Sequence, residues 1–138
     1  MKKITSRSPQ VSLVIPVKDE EKSLPILYQE ILAAVKPLKK SFEIIFIDDG
    51  SIDHSCEVIK KLSQKDKRVK IIQFRGNFGK SAALSAGFKK AQGEIVITLD
   101  ADLQDNPKEI PKFLAKLNEG YDLVCGWKKK RHDPLTKV

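Results

Sequence analysis

Cysteine, aromatic residues and long apolar runs are all scarce in this chain, and each scarcity removes a class of protein. The two cysteines, Cys56 and Cys125, lie far apart without metal-ligand spacing. That excludes a disulfide framework and a zinc knot, and reduced thiols in a cytoplasmic protein are the expectation. Cys125 falls in a predicted strand and reads as a core residue. No stretch approaches the roughly 18 uninterrupted apolar residues of a membrane span, and Met1 to Gln10 carries basic residues but no apolar signal core. The chain as given is therefore expected to be soluble. Aromatic residues make up 7% of the chain and do not interleave with the basic ones, which argues against a stacking platform for nucleic acid. The turn after the first predicted strand contains no glycine, so the dinucleotide-binding fingerprint is absent. Gly79-Lys80-Ser81 resembles the end of a phosphate-binding P-loop, but that motif needs a glycine where this chain has Phe74.

Positive charge, by contrast, is in excess, with a formal net charge of +8. Such a balance suits nucleic acid, an anionic membrane surface or a phosphorylated substrate, and charge alone does not choose among them. Lys39-Lys40, Lys60-Lys61 and Lys89-Lys90 fall in or near predicted helices and read as solvated faces. The run Lys128-Lys129-Lys130-Arg131 stands apart as a basic tail.

Strand and helix signals alternate along the chain. Val11 to Ile15 is a β-branched run stopped by Pro16, and Leu24 to Val35 carries helical spacing that ends near Lys36-Pro37. Phe42 to Ile47 is a second buried strand. Asp53 is a plausible N-cap for a helix to about Ser63 that buries Cys56, Ile59 and Leu62. Val69 to Phe74 predicts a third strand, Ser81 to Ala91 a small-residue helix closed by Gly93, and Glu94 to Leu99 a fourth strand. Pro107 opens a helix to about Asn118 with Gly120 as its stop, and Tyr121 to Cys125 predicts a fifth strand. Short apolar strands separated by helices predict an α/β domain with a mostly parallel sheet covered on both faces. The domain is expected over residues 11–127, after an extended segment at 1–10 and before the basic tail at 128–138.

In such a sheet, ligands bind beyond the carboxyl ends of the strands. The segments that follow the first four strands are Pro16-Val17-Lys18-Asp19-Glu20-Glu21, Asp48-Asp49-Gly50-Ser51, Arg75-Gly76-Asn77-Phe78-Gly79-Lys80 and Asp100-Ala101-Asp102. Any one of them could be a solvated turn; four on one edge form a polar site. Asp100 and Asp102, one residue apart after a buried strand, make a hard-oxygen clamp suited to Mg²⁺ or Mn²⁺ holding a diphosphate. Lys80 at a helix N-terminus favours a nearby anion.

These segments, with Leu103 and Gln104 after the clamp, resemble the successive signatures of family 2 glycosyltransferases of GT-A fold, and most of all the polyprenyl-phosphate sugar transferases. The resemblance runs from about Val11 to the end of the chain. It implies an inverting transferase that uses a UDP- or GDP-sugar donor, a polyprenyl phosphate acceptor and a divalent cation. Pro16, Lys18 and Glu20 match the loop bordering base and ribose, Lys18 standing where the family frequently has tyrosine. Asp48 matches the carboxylate that reads the base, while Asp49 is left to hold the turn and Ser51 and Asp53 to turn and cap. Asp100, Asp102 and Gln104 match the metal and diphosphate site, with Ala101 small enough for close backbone approach. Lys128 and Arg131 fall where the family places basic residues near the phosphates. The resemblance also implies further acceptor and membrane-associated sequence beyond Val138, hence a contact with the cytoplasmic face of a membrane in the longer form. The alternative expectation is a donor-binding module without transfer activity of its own.

Overall fold

A computed structural model describes residues 8–118. Within them, β1 (Val11–Val17), β2 (Phe42–Asp48), β3 (Val69–Gln73) and β4 (Ile95–Thr98) form an all-parallel sheet in the order β3-β2-β1-β4. The register pairs Val11 with Phe42 through Val17 with Asp48, Val11 with Ile95 through Val14 with Thr98, and Ile44 with Val69 through Asp48 with Gln73. The connections are α1 (Ser23–Val35), α2 (Ser55–Lys65) and α3 (Lys80–Lys90), and α4 (Ile110–Asn118) follows β4. The predicted fifth strand, Cys125 and the tail residues Lys128 and Arg131 lie outside the described residues.

Strand alternation divides the core in two. Val11, Leu13, Ile15 and Val17 of β1 join Phe42, Ile44 and Phe46 of β2 in one cluster with Leu24, Leu27 and Ile31 of α1, Ile59 of α2, and Ile110 and Leu114 of α4. On the opposite face, Val14, Ile45 and Ile47 pack against Ala83 of α3 and Ala91 at its end. Both faces of the central strands are thus largely apolar, which is why their sequences read as nearly continuous hydrophobic runs, broken at Ser12 and Glu43. Helix α3 lies close to the sheet: a Cβ on Gly87 would come within 2.4 Å of Val14 Cγ1 and 2.8 Å of Ile47 Cδ1. Its small residues are therefore a packing requirement.

The chain builds β1, β2 and β3 outward in one direction, then crosses back through α3 to place β4 on the other side of β1. Right-handed crossovers in opposite directions put their helices on opposite faces, as observed. The strand order therefore reverses between β1 and β4, the kind of position beyond which α/β sheets bind ligands.

Most boundaries shift from the sequence reading by one or two residues, and two of the differences have a clear physical reason. β1 continues through Pro16 to Val17. Its pairing with β4 ends at Val14–Thr98, so Pro16 sits where the strand has a neighbour on one side only, a position that tolerates a missing N–H. The helix expected from Pro107 begins as a 3₁₀ turn at Pro107–Glu109, capped by Asn106 Oδ1 accepting from the Lys108 N–H at 3.0 Å, before α4 proper.

Candidate functional site

The four loops at the carboxyl edge of the sheet are stitched to one another by backbone groups and short polar side chains. Asp19, after β1, adopts a left-handed backbone with φ 54°, which aspartate tolerates better than most residues. Its Oδ1 accepts from the N–H of Ile52 at 2.8 Å and of Asp53 at 3.3 Å, and its own N–H donates to Ser51 Oγ at 3.0 Å. Lys18 Nζ donates to the Gly50 carbonyl at 2.9 Å. The N–H groups of Glu20 and Glu21 donate to Ser55 Oγ and Asp53 Oδ2 at 2.7 and 3.2 Å. Asp53 also accepts from the Ser55 N–H at 2.9 Å, capping α2 from one residue further out than a standard N-cap. Burial would raise its carboxyl, but the Ser55 side chain and the N–H groups of Ser55 and Glu21 together hold it below the usual aspartate range.

Asp48 and Asp49 are both buried. Asp48 Oδ1 accepts from the Ser51 N–H at 3.2 Å. Asp49 reaches across to the third loop, its two oxygens accepting from the N–H groups of Phe78 at 2.7 Å and Gly79 at 3.0 Å. The two loops touch backbone to backbone: Gly50 has φ 70°, and a Cβ there would lie 2.4 Å from the Gly76 carbonyl carbon. Cys56 packs beneath, where burial, with Asp48 adding to it, pushes its thiol up.

The fourth loop carries the carboxylates. Asp100 N–H donates to Asp105 Oδ2 at 2.6 Å, and Gln104 N–H to Asp102 Oδ1 at 3.1 Å, past Leu103 in a left-handed backbone with φ 67°. Ala101 packs its methyl into the larger core, and its carbonyl lies 2.8 Å from Ser23 Oγ. That hydroxyl also lies 2.7 Å from Glu20 Oε2, so one residue at the start of α1 bridges the first and fourth loops. Lys80, the first residue of α3, places Nζ 2.6 Å from Asp100 Oδ1.

Pro16, Lys18, Glu20, Asp48, Lys80, Asp100, Ala101, Asp102 and Gln104 thus all lie on or beside one edge, while Lys128 and Arg131 fall outside the described residues. Four pairs of segments are in direct contact: Lys18 with Gly50, Asp49 with Phe78 and Gly79, Glu20 with the Ala101 loop through Ser23, and Lys80 with Asp100. Asp19, Ser23 and Asp105 went unassigned in the sequence. Ser23, just before the first apolar residue of a helix, carried an N-terminal signal; the other two had none beyond their charge.

Among the described residues no cluster of three or more Asp, Glu, His or Cys forms a cage for a metal ion. Two carboxylates on a loop suit a cation that takes its remaining ligands from water and substrate phosphates, which is how Mg²⁺ is commonly held. The donor set present fits such an ion.

Residues 12–137 match the sequence profile of Glycosyl transferase family 2. An undecaprenyl-phosphate 4-deoxy-4-formamido-L-arabinose transferase of Salmonella paratyphi A is 46% identical over 129 residues, covering 93% of this chain and 39% of that protein. The chain thus spans about two fifths of the length of the curated relatives it matches. Among solved structures, Staphylococcus aureus TarS in complex with UDP-GlcNAc superposes with a TM-score of 0.65 at 27% identity, over 80% of this chain and 31% of that one. A mannosyltransferase of Pyrobaculum calidifontis, in complex with GDP-Man and Mn²⁺, shares the fold at a TM-score of 0.60 and 23% identity, over 70% of this chain and 28% of its own. The parallel sheet with helices on both faces is the GT-A arrangement anticipated from the motifs. On its fold, its four edge loops and its match over nearly its whole length, the chain belongs to the family 2 glycosyltransferases.

Proposed function

We propose that this chain forms the donor-binding part of an inverting glycosyltransferase that moves a sugar from a nucleoside-diphosphate sugar to a polyprenyl phosphate. The observation that carries the proposal is the position of Asp100 and Asp102. They follow β4 at the point where strand order reverses, on a loop tied to the β1 connection through Ser23, at the edge where α/β sheets bind ligands. The similarity to an undecaprenyl-phosphate sugar transferase supports the acceptor class.

Each residue has a role in this reading. Pro16, Lys18 and Glu20 border base and ribose, and buried Asp48 accepts a hydrogen bond from a ring N–H of the base. Asp100 and Asp102, with Gln104 beside them, hold Mg²⁺ or Mn²⁺. Ala101 keeps the backbone between them close to the donor. Lys80 and the N-terminus of α3 draw the diphosphate. Lys128 and Arg131 supply further cations toward the phosphate groups. A divalent cation bound at the clamp would stabilise the negative charge that develops on the β-phosphate as the anomeric bond breaks. The acceptor phosphate is already ionised near neutral pH, so the site needs no strong general base.

Incubating the chain with UDP- and GDP-sugars, Mn²⁺ and undecaprenyl phosphate, with lipid products read by mass spectrometry, tests the proposal. A glycosylated lipid phosphate whose formation stops with chelator supports it. The fraction of the relatives' length covered here favours a second reading, a donor-binding module completed by another segment or protein. Metal-dependent donor binding without any lipid product would select that reading.

A further inference from the structure

The contact between Lys80 and Asp100 carries an inference that rests on the proposed metal and donor site and goes beyond it. Lys80 Nζ lies 2.6 Å from Asp100 Oδ1, so an oxygen of the proposed clamp is already engaged by an ammonium. Both ends of the pair are anchored by the backbone. Lys80 follows Gly79, whose N–H, with that of Phe78, is held by the buried Asp49. Asp100 is tied through its own N–H to Asp105 and follows Leu99, whose N–H donates to the Val14 carbonyl at 3.1 Å.

The ammonium is the more exposed end of the pair. Its side chain is 57% exposed against 21% for Asp100, and it rides on a flexible four-carbon stem that can turn toward water or another anion without opening the core. A divalent cation sits roughly 2 Å from a carboxylate oxygen. Lys80, if it stayed, would then lie within about 5 Å of a double positive charge, an unfavourable arrangement at any dielectric.

We propose that Lys80 is a two-position residue. Without ligand it serves Asp100 as an internal counter-cation; when a divalent cation and a nucleoside diphosphate enter together, it releases the carboxylate and moves its charge to the diphosphate. Lys80 then weakens binding of the metal alone and strengthens binding of metal and diphosphate as a pair. The two ligands are therefore positively coupled, and the coupling is reciprocal.

The test is Mn²⁺ binding, followed by electron paramagnetic resonance of the free ion, first alone and then with saturating UDP or GDP. The chains compared are the wild type, Lys80→Gln, Asp100→Asn and, as a charge control at the far end of α3, Lys89→Gln. Lys80→Gln is expected to bind Mn²⁺ alone roughly two- to fivefold more tightly than the wild type, the range for releasing an exposed ion pair. The gain in Mn²⁺ affinity on adding nucleotide shrinks in that variant, and Lys89→Gln leaves both quantities unchanged. Loss of Mn²⁺ binding in Asp100→Asn together with unchanged or weaker binding of Mn²⁺ alone in Lys80→Gln overturns the role of Lys80 while leaving the metal site standing. An equal rise in Lys89→Gln overturns it too, because general charge would then explain the effect. Absence of Mn²⁺ binding by the wild type, even with nucleotide, overturns the metal site itself and this inference with it. In the wild type, acylation of Lys80 by acetic anhydride, read by peptide mass spectrometry, should rise with saturating Mn²⁺ and fall when nucleotide follows. Labelling indifferent to both contradicts the two positions.

Discussion

Glu43 near the amino end of β2 and Asp48 at its carboxyl end are both almost fully removed from water. Glu43 is surrounded by the scaffold. Its Oε2 accepts from Ser12 Oγ at 2.5 Å and from the Gln92 N–H at 2.7 Å, and Ser12 Oγ in turn accepts from the Gly93 N–H at 2.8 Å. Its Oε1 meets only the ammonium of Lys70, at 3.3 Å, an ion pair without an aligned hydrogen bond. A second closed knot lies at the same edge: Arg68 grips Asp66 with Nε and Nη2, both at 2.9 Å, Tyr28 donates to Asp66 at 2.7 Å, and the guanidinium stacks 4.5 Å above the Phe42 ring. At the carboxyl edge Asp49 is spent on the N–H groups of Phe78 and Gly79, and Asp19, Asp53 and Asp105 on other backbone N–H groups of the loops. Asp48 ends β2, while Asp100 and Asp102 stand on the loop after β4, beside the reversal of strand order; Asp100 is paired with Lys80 and Asp102 is exposed. The carboxylates of the amino edge thus close the scaffold, while those of the carboxyl edge fix the loops and leave Asp102 open to water.

Substitutions at the two edges should separate binding from stability. The largest expected effect is on ligand binding: Asp100→Asn removes metal-dependent nucleotide binding by about 100-fold or more, with the melting temperature little changed. Calorimetry of UDP or GDP binding in Mn²⁺, against the same titration in chelator, measures it. Glu43→Ala should behave in the opposite way. It strands the Gln92 N–H and the Ser12 hydroxyl in the interior and lowers unfolding free energy by about 2 kcal/mol in urea titrations, while nucleotide affinity in the folded protein stays as it was.

Ser23 tests whether the first and fourth loops act together. Ser23→Ala should weaken metal-dependent donor affinity about five- to tenfold, the equivalent of one hydrogen bond, and Ser23→Thr should restore most of it because the hydroxyl returns. Equal losses in both variants would mean that packing at the start of α1, and not the hydroxyl bridge, is what matters.

The smallest effect is a pH dependence of stability at the amino edge. The Arg68 hydrogen bond, opposed by burial and joined by that of Tyr28, lowers the Asp66 carboxyl to about 2, well below the ordinary aspartate value. A depressed carboxyl stabilises the fold above its unfolded value, so this contribution is complete above about pH 4 and disappears as pH falls toward 2. With Arg68 half exposed, screening leaves about 1 kcal/mol. Asp66→Asn should flatten that part of the stability profile and leave nucleotide binding at neutral pH intact.

Much of the fold was legible because parallel strands buried on both faces leave nearly continuous apolar runs, and Val11 to Ile15 and Phe42 to Ile47, each broken at one residue, are such runs. The paired aspartates after the fourth strand were legible for the same reason, since their spacing and strand context are local. Contacts made across the fold were not. Ser12 and Glu43 are 31 residues apart and Ser23 and Ala101 are 78 apart, so neither pairing leaves a local pattern, and Glu43 looks like an interruption in an apolar run. Pro16 was read as a strand end because its missing N–H matters only on a side that has a neighbour, and sheet order decides which side that is.

The central claim is that the metal and the nucleotide meet at the carboxyl edge of the sheet, and paramagnetic broadening of backbone amide signals by Mn²⁺ in the presence of UDP or GDP locates that meeting directly. The account predicts that the amides of Asp100 to Gln104 and of Asp48 to Ser51 broaden, while those of Ser12, Glu43 and Gln92 at the other edge remain sharp. Broadening centred on Glu43, or spread evenly over the chain, would contradict it.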